Sequence, residues 1–134
     1  KSNSQITISS FFNGNPDSEG GYSSVATMKA VGDYVTYSFP VPVSGNFNFK
    51  LNYKLSKSSR GTARFSLVRS DGTEERLGND IDESTNQTEK MQTIDLGNHS
   101  IEAGTLKLRM RLVGGGISGT GKLIGFNYLL LTRK

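Results

Sequence analysis

Residues 47–55 read FNFKLNYKL, and apolar and polar side chains alternate through the whole stretch. Successive side chains of a β-strand point to opposite faces of a sheet, so a period of two predicts a strand with one buried and one solvent-facing side. The same alternation recurs in VTYSFPV at 35–41, ARFSL at 63–67 and LKLRMRL at 106–112. Since no segment has a convincing helical period, the sequence predicts an all-β fold.

Turn-forming residues separate the predicted strands at intervals of roughly ten residues. SDGT at 70–73 has the composition of a tight hairpin turn, and Gly, Asn, Asp and Ser cluster at the other connections. We place the first strand near 5–12 and the last near 123–132. Short, evenly spaced strands are typical of two packed sheets, so we predict a β-sandwich (jelly roll) of two antiparallel sheets.

Length and composition limit the possible classes of protein. The chain has 134 residues, the size of one ordinary domain, and no cysteine, which excludes a disulfide framework and a thiolate zinc site. The net charge of +4 comes from scattered lysine and arginine residues, and no apolar run approaches the roughly 18 residues of a membrane span. We expect residues 1–134 to form one monomeric module without nucleic-acid or membrane partners. Because the sequence begins with Lys1, we expect it to come from a longer, processed polypeptide.

The order of the strands predicts which loops meet, because connections between successive antiparallel strands lie at alternating ends of a sandwich. The longer, more polar and glycine-rich connections fall at one end, at residues 28–32, 56–61, 78–90 and 114–121. The shorter turns, with a connection predicted at 97–104, fall at the other end. Recognition sites are often built from long loops on a rigid scaffold, so we expect the ligand at the first end, named here the loop end.

Residues suited to acid–base catalysis are few. His99 is the single histidine, and no nucleophile elbow surrounds the nearby Ser100, so a triad with Asp95 is disfavoured and His99 is interpreted as a turn residue. Glycoside hydrolysis needs two carboxylates at a fixed separation, one of them with a raised pKa, whereas the acidic residues of this chain gather in turns and one polar loop. The sequence therefore predicts no catalytic residues and no enzyme.

A calcium site is the one metal site that the composition favours. Asp17 and Glu19 lie beside a pair of glycines in the N-terminal loop region. Carboxylate oxygens are preferred ligands of Ca²⁺. We therefore expect a structural Ca²⁺ near Asp17 and Glu19.

Three stretches together resemble a known family. VGDYVTY at 31–37 followed by VPVSG at 41–45, IEAGTLKL at 101–108 and FNYL at 126–129 are similar, in order and spacing, to the signatures of family 6 and family 35 carbohydrate-binding modules. The resemblance covers about residues 25 to 131. It implies a galactose-binding-domain-like β-sandwich, non-catalytic and appended to a secreted enzyme that degrades polysaccharide, and hence an extracellular location.

The resemblance also implies where sugar binds. In that family an aromatic residue before the Gly-Asp pair and a tryptophan before the Ala-Gly segment stack on sugar faces, and here Met28 and Met91 stand at those positions. At the loop end, Tyr22 and Tyr34 are the remaining aromatic candidates, since a flat ring packs on the C–H face of a sugar. The charged candidates are Lys29, Arg60, Lys90 and Lys122.

A second surface is an alternative to the loop end. Lys50 and Asn52 share one face of their predicted strand, and Lys107, Arg109 and Arg111 share one face of another. If these strands are neighbours, the residues form a single basic, amide-rich platform suited to an acidic glycan, because guanidinium groups bind carboxylates with paired hydrogen bonds. We therefore predict a carbohydrate-binding module that favours an acidic polysaccharide. A structural or adhesive domain that packs against a neighbour is the alternative.

Overall fold

The computed structural model of the protein describes residues 5–9, 24–57 and 60–134, so Tyr22, Asp17 and Glu19 lie outside the described residues. Within these ranges the secondary structure is entirely β, and no helix is long and apolar enough to cross a membrane. The described strands, in chain order, are β1 (Gln5–Ser9), β2 (Ser24–Thr27), β3 (Tyr34–Val41), β4 (Gly45–Leu55), β5 (Thr62–Val68), β6 (Glu74–Arg76), β7 (Ile81–Asp82), β8 (Lys90–Ile101), β9 (Gly104–Gly114), β10 (Leu123–Phe126) and β11 (Tyr128–Arg133).

Two antiparallel sheets form the sandwich, which confirms the predicted fold class. The back sheet has the strand order β1-β11-β4-β8. The front sheet has the order β3-β9-β5-β6, and β7 also pairs with β5. A two-stranded ribbon of β10 and β2 completes the described structure.

The core lies between the sheets and is built from the apolar positions of the alternating stretches. Phe47 and Phe49 of β4 are fully buried, as is Phe65 of β5. The ring of Phe126 meets the rings of Tyr37 and Phe65 edge-on, at centroid distances of 5.3 and 5.6 Å. Edge-to-face contacts of this kind stabilise a core beyond the burial of apolar area, and these three rings join β3, β5 and β10.

The single platform predicted from β4 and β9 does not form, because the two strands belong to opposite sheets. β4 pairs with β11 and β8, which places Lys50 and Asn52 on the outer face of the back sheet. β9 pairs with β3 and β5, which places Lys107, Arg109 and Arg111 on the outer face of the front sheet. Alternation of apolar and polar residues determines which side of a strand faces solvent, but it carries no information on which strands are neighbours.

The connection predicted at 97–104 is also wrong. β8 continues to Ile101 and is interrupted only by a bulge, where Phe49 pairs with Gly97 and Lys50 pairs with Asp95. Gly97 has a φ of 92°, a conformation that glycine adopts without strain. His99 is therefore a strand residue rather than a turn residue.

Candidate functional site

The loop end is assembled as predicted, because its connections are hydrogen-bonded to one another. The N–H of Met28 donates to the Lys122 carbonyl oxygen at 2.8 Å, and the N–H of Ser56 donates to the Glu83 carbonyl oxygen at 3.0 Å. The N–H of Ile117 donates to Oγ of Ser84 at 2.8 Å. The long connections thus form one continuous layer across this end of the sandwich.

A buried hydrogen bond between Arg60 and Glu83 closes the middle of this layer. Arg60 and Glu83 are 7% and 0% exposed, and Nη1 of Arg60 donates to Oε1 of Glu83 at 3.0 Å. The N–H of Gly125 donates to the same oxygen at 2.9 Å. Burial raises the pKa of Glu83 to about 8, although the contacts with Gly125 and Arg60 act in the opposite direction. Arg60 therefore acts as a structural link between loops as well as a candidate ligand residue.

Among the predicted loop-end residues that the structure describes, the side chains do not converge on one cleft. Arg60 lines a groove with Lys57, Ser84 and Ile117. A second groove is lined by Lys90 and Met91 together with Lys54 and Glu89. A third groove is lined by Lys29 and Tyr34 together with Met28 and Asp33. Lys122 is exposed beside Met28.

The two methionines at the positions of the family's aromatic residues are not free surfaces. Met28 is only 5% exposed and belongs to the core. The thioether sulfur of Met91 lies 2.9 Å from Nδ2 of Asn127, which also donates to Oδ1 of Asn52 at 2.6 Å. Neither of these two positions therefore offers an aromatic ring on which a sugar could stack.

An aromatic and cationic site is instead present on the front sheet. Tyr34 is 49% exposed at the start of β3, and it pairs across the strands with Arg111. The guanidinium carbons of Arg109 and Arg111 lie 4.0 and 4.7 Å from the centroid of its ring. Both distances are within the range of cation–π attraction, so the two arginines support the ring and leave much of it open to solvent.

Four hydrogen bonds hold the two guanidinium groups in position. Arg109 donates from Nε to Oγ1 of Thr36 at 2.9 Å and from Nη1 to Oε2 of Glu74 at 2.7 Å. Arg111 donates from Nη1 to the Gly32 carbonyl oxygen at 2.8 Å and from Nη2 to Oε2 of Glu74 at 2.9 Å. The hydrogen bond from Arg109 is the main reason that the pKa of Glu74 is lowered. We name Tyr34, Thr36, Glu74, Arg109 and Arg111 the arginine face.

The surroundings of the arginine face are predominantly basic. Arg64 pairs across the strands with Arg111, and Ser66 next to Arg109 pairs with Arg76, so these residues share the same outer surface. Asp80 accepts hydrogen bonds from Nε and Nη2 of Arg64 at 2.9 and 3.1 Å and forms an ion pair with Arg76 at 2.9 Å. With Lys107 included, this surface carries five basic side chains and two acidic ones, Glu74 and Asp80.

Sequence reasoning found Tyr34, Arg109 and Arg111 but assigned them to two different sites. It missed Thr36, Glu74 and the Arg64–Asp80 pair. The alternation of β5 already indicated that Arg64 faces solvent. No sequence pattern indicates that Glu74 lies near Arg109 and Arg111, because this proximity depends on the order of strands in the sheet.

The outer face of the back sheet is polar but more balanced in charge. Nδ2 of Asn52 donates to Oγ1 of Thr93 at 2.9 Å, and Lys50 pairs across the strands with Asp95. Tyr128 pairs with Asn52 on the other side. This face therefore has an aromatic residue but lacks the arginine cluster of the front sheet.

The described residues do not bring together the triad that sequence proximity would allow. Nδ1 of His99 lies 2.6 Å from Oε2 of Glu75, whereas Asp95 accepts hydrogen bonds from Nδ2 of Asn48 and the N–H of Gly97. The contact between His99 and Glu75 has a structural role, since it joins β8 of the back sheet to β6 of the front sheet, and Nη1 of Arg69 makes a second link by donating to the Ser100 carbonyl oxygen at 2.8 Å. Within residues 5–9, 24–57 and 60–134, no group of three or more His, Cys, Asp or Glu side chains could hold a metal ion.

Comparisons with known proteins agree on the fold. No protein-family model and no curated protein matches the sequence. Among solved structures, a family 35 carbohydrate-binding module from an environmental isolate aligns with 96% of this chain and 93% of that module at a TM-score of 0.61 and 12% identity. A family 35 module from Cellvibrio japonicus Abf62 aligns with 96% of this chain and 93% of that module, at a TM-score of 0.54 and 15% identity.

A xanthan lyase from Paenibacillus aligns with 85% of this chain at a TM-score of 0.65 and 18% identity. This chain spans only 12% of the length of that lyase. Identities this low establish a shared fold rather than a shared ligand. The chain has the β-sandwich fold of family 35 carbohydrate-binding modules.

Proposed function

We propose that this chain is a non-catalytic module that binds polysaccharide through the arginine face and favours an acidic polysaccharide. The single observation that carries the proposal is the half-exposed ring of Tyr34, held over two guanidinium groups. An aromatic ring and fixed, charged donors on one rigid sheet are the two elements that recognition of an acidic sugar requires.

The chemistry of the ligand follows from these groups. The C–H face of a pyranose ring packs on an exposed aromatic side chain, which would place the ring on Tyr34. A carboxylate or sulfate group on the same or the next sugar would then accept charge-assisted hydrogen bonds from Arg109 and Arg111. Lys107 and Arg76, on the same surface, would attract the rest of an anionic chain.

The proposed biological role is targeting of an attached, secreted enzyme that degrades polysaccharide. A module that binds the polymer raises the effective concentration of its attached catalytic domain at the substrate. The likeness to two carbohydrate-binding modules and to part of a xanthan lyase supports this role and an extracellular location. The exposed loop-end residues Lys29, Lys90 and Lys122 are proposed as secondary contacts at most, because they line no common cleft.

Affinity electrophoresis tests the proposal with variants matched between the two outer faces. Tyr34→Ala should lose most of the retardation by an acidic polysaccharide such as polygalacturonate, whereas Tyr128→Ala on the back sheet should retain it. Lys107→Gln should weaken retardation, whereas Lys50→Gln, which makes the same change of charge, should not. Added salt should reduce the retardation of the unmodified protein, because exposed charges are screened over about 10 Å at 0.1 M. Equal effects of the matched variants on the two faces would refute the assignment.

A structural calcium ion is a separate proposal that rests on Asp17 and Glu19. The described residues supply no alternative cluster of ligands. Addition of Ca²⁺ after treatment with a chelator should raise the thermal unfolding temperature, and the double variant Asp17→Asn, Glu19→Gln should abolish that rise. An unchanged temperature in the unmodified protein would refute the proposal.

A structural or adhesive domain is the second candidate function, and one observation favours it. Val31 and Ile117 are 65% and 58% exposed, although both are large apolar residues. They lie in loop-end connections, where a neighbouring domain would cover them. Absence of retardation across a broad panel of neutral and acidic polysaccharides would favour this candidate. Size-exclusion chromatography should show a monomer if the module acts alone.

A further inference from the structure

Glu74 lies at the point where the two arginines of the proposed site converge. Its Oε2 accepts hydrogen bonds from Nη1 of Arg109 at 2.7 Å and from Nη2 of Arg111 at 2.9 Å. Its side chain is 30% exposed. One carboxylate oxygen of Glu74 thus occupies the position between the guanidinium groups of Arg109 and Arg111.

The two guanidinium groups do not depend on Glu74 alone for their orientation. Arg109 is also fixed by its hydrogen bond to Thr36, and Arg111 by its hydrogen bond to the carbonyl oxygen of Gly32. Both groups also lie against the ring of Tyr34. If the carboxylate of Glu74 moved away, the remaining contacts would keep both groups aimed at the same point.

We propose that Glu74 is an internal competitor of the ligand, whose carboxylate must be displaced before the acidic group of a glycan can bind between Arg109 and Arg111. This inference rests on the proposed function of the arginine face. Glu74 therefore opposes the binding of acidic ligands in particular, because a neutral sugar offers no group that competes for the position between the two arginines.

The position of Glu74 in the fold makes displacement feasible. It begins the three-residue strand β6 at the edge of the front sheet, directly after the 69–73 turn. β5 lies between β6 and β9, so the side chains of Glu74 and of the two arginines meet over the outer surface of β5. Rotation of that side chain alone releases the position, and no backbone hydrogen bond has to break. Since its lowered pKa keeps Glu74 ionised at neutral pH, it also repels an anionic ligand while it stays in place.

Replacement of Glu74 tests the proposal with polygalacturonate and a neutral glucan as the two probes. Glu74→Gln should bind polygalacturonate roughly five- to tenfold more tightly than the unmodified protein, since two partly exposed ion pairs no longer oppose binding. Glu74→Asp keeps the charge but has a side chain one methylene group shorter, so its carboxylate meets the two arginines less well, and it should also bind more tightly. Glu102→Gln, an exposed site in the turn between β8 and β9, is the control for an equal change of net charge. Binding of the neutral glucan should not increase in any variant.

The outcomes separate the competitor role from the proposed function itself. Unchanged or weaker binding of polygalacturonate by Glu74→Gln overturns the competitor role. Tighter binding by Glu74→Gln with unchanged binding by Glu74→Asp also overturns it, because that result would indicate a long-range effect of charge. In both cases loss of binding in Tyr34→Ala would still support the arginine face. Absence of binding by the unmodified protein and all variants to either probe refutes the proposed function. Thermal unfolding of each variant confirms that it is folded.

Discussion

Replacement of Glu83 by Gln tests whether the carboxyl group at the centre of the loop end is neutral in the folded protein. Glu83 is fully buried, and its Oε2 is a buried oxygen without a hydrogen-bond partner in the described part of the chain. An ionised carboxylate in such a place is costly, because its remaining lone pairs lose water without gaining donors. Gln has nearly the same shape, and its carbonyl oxygen accepts the same hydrogen bonds from Arg60 and the N–H of Gly125.

The magnitude follows from the difference between the folded and the unfolded pKa of Glu83. Burial raises its pKa from 4.5 to about 8, so the folded protein holds this proton more tightly than the unfolded chain. The contribution to stability is therefore fully present below about pH 4.5 and is lost as the pH rises through about 8. Between about pH 5 and about pH 8.5, the free energy of unfolding should fall by roughly 4 kcal/mol from this group alone.

Urea denaturation of the unmodified protein and Glu83→Gln over this pH range measures the effect. Every other titratable group is common to both proteins, so the difference between their free energies of unfolding isolates Glu83. That difference should grow by roughly 4 kcal/mol towards high pH, in favour of Glu83→Gln. Parallel curves for the two proteins would refute the reasoning and would mean that Glu83 is ionised as an ordinary partner of Arg60.

Three further substitutions and conditions probe the scaffold. Phe126→Ala should lower the free energy of unfolding by about 3–5 kcal/mol in urea denaturation, because the ring is 1% exposed in the core; a loss below about 1 kcal/mol would contradict the packing described. Gly61→Ala should destabilise by about 1–3 kcal/mol, since its Cβ would lie 2.5 Å from Cδ1 of Leu112 and 2.8 Å from two backbone carbonyl oxygens; unchanged thermal unfolding would show that the loops can shift. The hydrogen bond from Arg64 lowers the pKa of Asp80, so the stability that this pair contributes is present above about pH 4 and is lost at lower pH. Asp80→Asn should therefore weaken the loss of thermal stability in acid. An identical acid profile for the two proteins would exclude the pair as a cause.

Local patterns predicted the elements of this protein well, for a physical reason that acts within each strand. In 47–55 every second residue is apolar, and the structure buries Phe47, Phe49 and Leu51 in the core while Lys50 faces solvent. Alternation works because the direction of a side chain depends only on its own strand. It worked less well where β8 continues through Gly97, because a bulge and a turn share the same glycine-rich composition.

The sequence by itself determined the all-β class, the faces of the strands and the end at which the long loops meet. Only the tertiary structure decided that β3 and β9 are neighbours, which brings Tyr34 to Arg109 and Arg111 from more than seventy positions away and separates them from Lys50 and Asn52. It also decided that Glu83 is buried and that Glu74 meets both arginines. Strand order depends on which surfaces pack best once the whole chain has collapsed, and that choice is a property of long-range contacts that no local period can encode.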